Sequence, residues 1–444
     1  LLHRICERER IPNEFAAHHG SLSRQLREET EARLRRDQES ATIVATSTLE
    51  LGIDVGSVES IGQIGPPPTV ASMKQRLGRS GREEDVPAIF RIYVREPALI
   101  ADSSPIDRLR IGLVRSVAMV RLLAQGWVEP PVMGALHLST LVQQTLSLIA
   151  QHGGLEAQQG YDALCGHGPF QSVTSRQFAM LLRDLGDREL IKQTHDGALI
   201  LDLNGEKLVN HYDFYAAFSS PEEYRLLADG ESIGSLPVYR PLAEGTYLIF
   251  GGERWEVVDV DTEKQIIQLT PAGGGKPPTF AGGSGALVRE EIRREMEAVY
   301  EDSSVPSLLN QGGCALLREA RQEYQDMGLT GSSVISPDRD AWWFPWTGDR
   351  ALNVLSLELK RNGLDVAQEG PALRFDETSE DEVTEILSDL RPNALSDPQE
   401  LAGLVRNKNR EKHHRFLRED LLAADYASAD LDFGGAREAL SDWR

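Results

Sequence analysis

The sequence predicts a multidomain chain of α/β plus α+β class: a partial parallel α/β layer, then a helix-rich module, then a strand-rich region carrying helices. Three observations predict this. Short apolar runs alternate with helical stretches up to about residue 100. Three helical stretches followed by a hairpin occupy 139–205. From about 220 short strands succeed one another across tight turns. At 444 residues the chain has room for roughly two to four domains, divided here as 1–104, 105–219 and 220–444.

Composition excludes some classes of function. The chain is 40% hydrophobic and 26% charged, ordinary for a soluble protein. No stretch approaches the ~20 apolar residues of a membrane span, and no signal-peptide pattern is present. Cys6, Cys165 and Cys314 are far apart and odd in number. They suit a reducing cytoplasm better than a disulfide framework or a zinc knuckle. The net charge of −22 argues against a nucleic-acid binder until it is located. Residues 1–100 hold 14 Arg/Lys and 15 Asp/Glu, so the acid excess lies later. A local basic track works inside an acidic protein.

The chain begins at Leu1, inside a helical stretch reaching Arg10, and a strand at Asn13–Ala17 follows. That opening looks cut, and the sequence reads as a fragment of something longer. Ser21–Arg36 is helical, with Ser21 or Ser23 as N-cap. Ala41–Thr46 is a short apolar run of the kind found in buried parallel strands, and Ser60–Ile64 and Ala88–Val94 are two further strands. In doubly wound layers ligands sit at the carboxyl ends of strands, so the residues just after each strand matter most.

Those residues carry the strongest signal. Thr46-Ser47-Thr48-Leu49-Glu50-Leu51-Gly52-Ile53-Asp54-Val55 follows one strand. Gln75-Arg76-Leu77-Gly78-Arg79-Ser80-Gly81-Arg82 follows a helix that Thr69 caps, with Met73 and Leu77 facing inward and Gln75 and Arg79 sharing another face. Gly78 and Gly81 are expected to relax the backbone so that Arg79 and Arg82 project from a tight turn. Two arginines held this way suit the spread charge of a transferring γ-phosphoryl group. Taken singly, the same residues have plainer readings: His18 or His19 structural, Asp54 a turn former, Arg79 and Arg82 solvated surface charges.

With His18-His19-Gly20-Ser21-Leu22-Ser23, these two stretches resemble three motifs of the second RecA-like domain of superfamily 2 helicases, in the expected order and spacing. HHGSLS together with ATSTLELGIDVG points to the large helicase-related (Lhr) family rather than to DEAD-box proteins at large. Arg82 departs from the pattern, since Lhr proteins often carry histidine there. The resemblance implies that Gln75, Arg79 and Arg82 reach the ATP phosphates, and that Gly52 and Asp54 couple nucleotide to strand. It implies that Gly20, Ser21, Thr46 and Ser47 hold phosphates of bound single-stranded DNA, by backbone N–H groups and hydroxyls at helix starts. It also implies 3′-to-5′ movement and unwinding of DNA or an RNA–DNA hybrid.

The sequence contains no G-x-x-x-x-G-K-[ST] and no DExH-type acidic motif after an apolar strand. Gly273-Gly274-Gly275-Lys276 lacks the spacing and reads as a loop. The magnesium ligands and the other wall of the ATP site are therefore expected on a first RecA-like domain, in the same full-length protein or a separate chain. This chain alone is expected not to hydrolyse ATP.

Pro105–Gln125 reads as one long helix with Ile106, Leu109, Leu113 and Val117 on its apolar side. Residues 139–205 read as a winged helix. Thr174 or Ser175 caps a helix bearing Phe178, Leu181, Leu182 and Leu185, Gly186 closes it, and Asp196-Gly197 turns a hairpin between Leu190–Gln193 and Ala198–Leu203. Thr246–Phe250, Arg254–Val260 and Gln265–Thr270 form a meander. This region, with helices near 285–300 and 312–326, resembles the strand-rich domain of Lhr proteins. The tryptophans of Ala341–Gly348 suit either base stacking or a strand whose aromatic face packs on helices. Arg406, Lys408, Arg410, Lys412, Arg415 and Arg418 form either a phosphate-binding stripe or an exposed helix paired with acids. Two functions remain open: a portion of an ATP-driven helicase, or a non-catalytic binding or scaffold subunit of a repair or phage-defence assembly.

Overall fold

The alternation of short apolar runs with helices over residues 15–93 builds two parallel strand pairs. Phe15–His18 pairs with Thr42–Ala45, in register from Phe15↔Thr42 to His18↔Ala45, and helix Arg24–Leu34 connects them. Ile61–Ile64 pairs with Phe90–Tyr93, connected through helix Val70–Leu77. The computed structural model describes residues 6, 8–10, 14–18, 24–35, 41–46, 49–50, 58–82, 85–100, 103–218, 222–228, 230–238, 247–250, 253–261, 264–271, 286–337, 339–406 and 408–443. Burial of the Ala41–Thr46 run is not observed: Val44 is 52% exposed. The two parallel pairs belong to separate two-stranded sheets, and one connecting helix covers only one face of a strand pair.

The chain divides into two compact units. One comprises 1–95, 122–128 and 221–286, and the other 96–121, 129–220 and 287–444. The stretch 220–444, expected as one domain, thus contributes to both.

In the first unit a five-stranded sheet runs Glu231–Val238, Glu222–Ala228, Ile266–Pro271, Glu253–Asp261 and Tyr247–Phe250 in spatial order. The last three strands in sequence form the expected antiparallel meander. Ile266–Pro271 then pairs parallel with Glu222–Ala228. Alternate residues Tyr224, Leu226 and Ala228, Trp255 and Val257, and Ile267 and Leu269 form one buried cluster, the period-two signature of a half-covered sheet.

In the second unit the long helix expected over Pro105–Gln125 is broken. Pro105–Arg108 ends, Arg110 takes φ 52°, and a new helix runs Ile111–Ala124. Tertiary partners decide the break: the buried Arg110 guanidinium donates to Pro97 O and to Glu319 Oε2 at 3.1 Å. Leu109, Leu113 and Val117 are buried as expected.

Helices Leu138–His152, Ala157–Tyr161 and Ser175–Asp187 precede a hairpin, Ile191–Gln193 with Leu199–Leu201. Thr174 makes a full capping box with Gln177. Phe178, Leu181 and Leu185 are buried and Leu182 partly so. Gly186 lies inside the last turn instead of closing the helix, and Glu189 at φ 56° turns the chain. Gly197, at φ 93°, supplies the left-handed hairpin position. Leu203 opens a further helix, Leu203–Val209, capped by Asp202, so the second hairpin strand is shorter than expected.

Beyond residue 286, helices Glu290–Glu301 and Gln311–Asp326 precede a four-stranded sheet. Its order is Val334–Ile335, Ala341–Trp343, Ala372–Phe375, Val366–Glu369. Trp342, Trp343, Phe344 and Trp346 are buried. Trp346 lies 5.6 Å from Tyr300, which stacks on Tyr324 at 4.8 Å. The tryptophans are core residues, not an open stacking surface.

The basic run is neither a stripe nor an exposed helix. It is irregular chain with a short 3-10 turn, His414–Phe416. Buried Lys408 reaches Glu419 at 2.5 Å, and Arg410 pairs with Asp430. Lys412 pairs with Asp213 at 2.9 Å, and Arg418 reaches Asp187 at 2.5 Å and also Asp184. Among the described residues no helix is long and apolar enough to cross a membrane.

His413 sits within this run, fully buried, its ring 6.1 Å from Phe214 and 6.0 Å from Phe416. Burial, then the charges of Lys412 and Arg415, push its pKa down to about 4. The unfolded chain, near the ordinary ~6.5, binds this proton first. Stability is therefore full above about pH 6.5 and falls as pH drops toward 4. Melting temperature measured across this window is expected to decline, and less steeply in His413→Phe. Equal slopes in both proteins would exclude His413 as the source.

Candidate functional site

Helix Val70–Leu77 places the site. Thr69 caps it by accepting from Ser72 N at 2.9 Å, Val70, Ser72 and Met73 are buried, and Leu77 is half-buried. Gly78 ends the helix with ordinary right-handed backbone, φ −64° and ψ 0°, so the freedom expected there is not used. Gly81 does use it, at φ 65°. A Cβ on Gly81 would stand 2.4 Å from Ala88 N. Gly81→Ala is therefore expected to cost at least about 2 kcal/mol by strain and overlap together. A urea midpoint unchanged from wild type would refute this.

Gln75 lies in the last turn of the helix, and Arg79 and Arg82 lie on the chain that follows it. Gln75 is exposed and Arg79 half-buried, its Nη2 donating to Glu50 O at 2.9 Å. Arg82 is exposed, and its Nε donates to Gly78 O at 3.1 Å. Ser80 pins the turn: it is buried, its hydroxyl donates to Glu59 O at 2.9 Å and accepts from Ile89 N at 3.0 Å. Val58 N donates to Arg79 O at 3.2 Å, which fastens the turn beside the chain entering strand Ile61–Ile64.

Sequence reasoning missed Glu50 and Arg76, which organise this site. The Glu50 carboxylate accepts from the Ser72 hydroxyl and pairs with Arg76 at 3.2 Å, while its carbonyl holds Arg79. Arg76 also donates to Gln63 Oε1. Both residues stand inside the two motif stretches. Nothing local marks them, because their partners are 13 to 29 residues away.

Thr46 is exposed at the carboxyl end of strand Thr42–Ala45, its N–H donating to His18 O at 3.4 Å. His18 is buried with Nε2 3.1 Å from Glu31, which is the structural role weighed for it. Gly20, Ser21, Ser47, Gly52 and Asp54 lie outside the described residues. Among the described residues no group of three or more His, Cys, Asp or Glu could hold a metal ion. Chemically, guanidinium groups can donate to the oxygens of a polyanion.

Residues 2–84 match the helicase conserved C-terminal domain family. The chain is 32% identical over 288 residues to an Lhr helicase/probable uracil glycosylase of Mycolicibacterium smegmatis, covering 60% of this chain and 18% of that protein. It is 31% identical over 172 residues to the Lhr helicase/uracil glycosylase of Escherichia coli, covering 39% of this chain and 10% of that protein. An ATP-dependent helicase Lhr-Core of Methanothermobacter thermautotrophicus is 46% identical over 67 residues, covering 15% of this chain and 8% of that protein. The chain thus spans a small part of these relatives' lengths. In fold it is similar to the Mycobacterium smegmatis helicase Lhr solved with single-stranded DNA and AMP-PNP. That likeness has a TM-score of 0.59 and 18% identity, and covers 99% of this chain and 60% of that one.

Proposed function

Because the chain belongs to the Lhr-type superfamily 2 helicases, as a C-terminal portion, we propose that it supplies one wall of an ATP site and a strand-binding surface to an ATP-dependent DNA helicase. Residues 1–104 serve as the second RecA-like domain and 105–219 as connecting helix and winged helix, while the strand-rich part of 220–444 reduces to the five-stranded sheet within 222–271, since 287–444 belongs to the other compact unit. The observation that carries this reading is the turn on which Arg79 and Arg82 stand, with Arg79 held by Glu50 O and the turn pinned through Ser80. Rigid placement is what an arginine finger needs, since its stabilisation of transferring phosphoryl charge depends on pre-organised donors.

Arg79 and Arg82 neutralise charge building on the γ-phosphoryl oxygens, and Gln75 orients beside them. Gly52 and Asp54 link nucleotide state to the strand track. Gly20, Ser21, Thr46 and Ser47 hold strand phosphates; the likeness to Lhr helicases implies 3′-to-5′ movement on single-stranded DNA, with an RNA–DNA hybrid as a further duplex to unwind. The phosphate-cradling loop and the magnesium ligands come from a first RecA-like domain, and this chain alone does not hydrolyse ATP. The test is ATP hydrolysis by the complete protein with and without single-stranded DNA. Stimulation by the strand supports the motor. Strand binding without hydrolysis in the complete protein overturns it in favour of a binding subunit.

A further inference from the structure

A pocket of about 410 Å³ opens in the second unit, at the end of helix Ser175–Asp187. Its walls include Arg188, just past that helix, and Asn204 and Leu208 on helix Leu203–Val209. Arg415 and Phe416, on the short 3-10 turn, complete them. These groups are open to solvent: Arg188, Asn204 and Arg415 are exposed, and Leu208 and Phe416 are half-buried. The volume falls within the roughly 300–1,000 Å³ of small-molecule sites.

Two independent observations mark it as a site for an anion. The first is charge. Among the described residues Arg188 and Arg415 meet no carboxylate, and the Arg415 guanidinium lies 4.8 Å over the Phe416 ring. The acids beside them in the chain are engaged elsewhere. Asp184 and Asp187 both hold Arg418, Glu419 holds Lys408 at 2.5 Å, and Glu411 lies 3.6 Å from His414. The second observation is the turn that presents Arg188. Arg188 N donates to Asp184 O at 3.2 Å, Leu190 N donates to Leu185 O at 2.9 Å, and Glu189 between them takes φ 56°. A glutamate in this left-handed position, which favours glycine, costs about 1 kcal/mol, and such strain collects at ligand sites. Asn204 Nδ2 locks the turn by donating to Arg188 O and to Glu189 Oε2, both at 3.3 Å.

These walls limit what can enter. Two guanidinium groups match a phosphate monoester, which carries about −1.5 to −2 near neutral pH, better than the single charge of a diester. A pocket also suits a terminal group, whereas an internal diester needs a groove for chain on both sides. Leu208 and Phe416 call for an organic body behind the phosphate, which inorganic phosphate lacks. With Nδ2 committed, Asn204 Oδ1 meets no donor among the described residues and is left to accept from a ligand N–H. A nucleoside monophosphate meets all these conditions.

We propose that this pocket binds a nucleoside 5′-monophosphate, free or at the end of a strand. Arg188 and Arg415 hold the phosphate, Leu208 and Phe416 flank the sugar and base, and Asn204 Oδ1 accepts from a base N–H. The pocket belongs to a different compact unit from the arginine turn and does not rest on ATP hydrolysis.

The test is isothermal titration calorimetry on the whole chain with AMP, GMP, CMP and UMP, each beside its nucleoside, and with inorganic phosphate. At least one monophosphate is expected to bind about tenfold or more tightly than its nucleoside and than inorganic phosphate, the scale of one charge-assisted hydrogen bond. Arg188→Ala and, independently, Arg415→Ala are each expected to weaken it about tenfold, while Arg79→Ala leaves it unchanged. Both pocket arginines are exposed, so these variants are expected to keep the wild-type melting curve. Competition by a 5′-phosphorylated oligonucleotide, but not by its 5′-hydroxyl counterpart, assigns the phosphate to a strand end. Competition by neither assigns it to free nucleotides. Equal competition by both makes the site a groove for internal phosphates and overturns the proposal. Silence from all four monophosphates, nucleosides binding as tightly, or unchanged affinity in either pocket variant also overturns it. So does loss of binding in Arg79→Ala, which would place the nucleotide at the arginine turn, or a phosphoserine peptide that competes as well as the nucleotides.

Discussion

In the complete protein, Arg79→Ala is expected to lower strand-stimulated ATP hydrolysis by about 10³-fold or more, the scale on which an arginine finger acts. Arg82→Ala is expected to fall in the same range. Strand binding at low salt should survive both changes, since neither residue is assigned to the strand. The structure adds a second arm. Glu50 holds Arg79 through its backbone carbonyl, so removing its carboxylate leaves that bond in place and loosens only Ser72 and Arg76. Glu50→Gln should therefore cost far less hydrolysis than Arg79→Ala. Measuring kcat for all three variants decides the matter. Full activity in Arg79→Ala would remove the finger assignment, and equal losses in Glu50→Gln and Arg79→Ala would make Arg79 a structural residue.

The largest expected loss of stability is at Arg293→Ala. Arg293 is 4% exposed, and its Nη2 donates to Asp349 Oδ1 at 2.8 Å and to Gly370 O at 3.0 Å. Asp349, largely buried at the start of helix Asp349–Arg361, also accepts from Val288 N at 2.8 Å. Removing the guanidinium strands a carboxylate in low dielectric and vacates the volume of a long side chain. Breaking a buried pair from one side costs about 3–5 kcal/mol. Arg293→Met with Asp349→Asn should recover part of this, because neither group then carries an unpaired charge. Urea midpoints for the single and double variants test both statements. A single variant within about 1 kcal/mol of wild type would mean that solvent reaches Asp349 when Arg293 is lost.

Local signals in this chain were legible in the sequence. Thr69 and Thr174 cap their helices because an N-cap side chain bonds a backbone N–H two or three residues on, an interaction that a short sequence window contains. Gly197 turns its hairpin for an equally local reason. The parallel pairs Phe15–His18 with Thr42–Ala45 and Ile61–Ile64 with Phe90–Tyr93 follow from apolar runs joined by helical stretches. The turn carrying Arg79 and Arg82 was likewise marked by its own motif.

Only tertiary structure decided the rest, because charge and aromatic groups take their meaning from partners far along the chain. Arg418, Lys412 and Arg410 looked like a stripe until Asp184, Asp213 and Asp430 faced them. The helix over Pro105–Gln125 breaks because Arg110 finds Pro97 and Glu319. The tryptophans after Ala341 are interior because residues such as Tyr300 and Tyr324 pack on them. Glu50 organises the arginine turn from 29 residues before Arg79. Caps and turns are closed by neighbours in sequence. Burial of a ring and neutralisation of a charge are closed by whatever the fold brings alongside, and no local pattern encodes that.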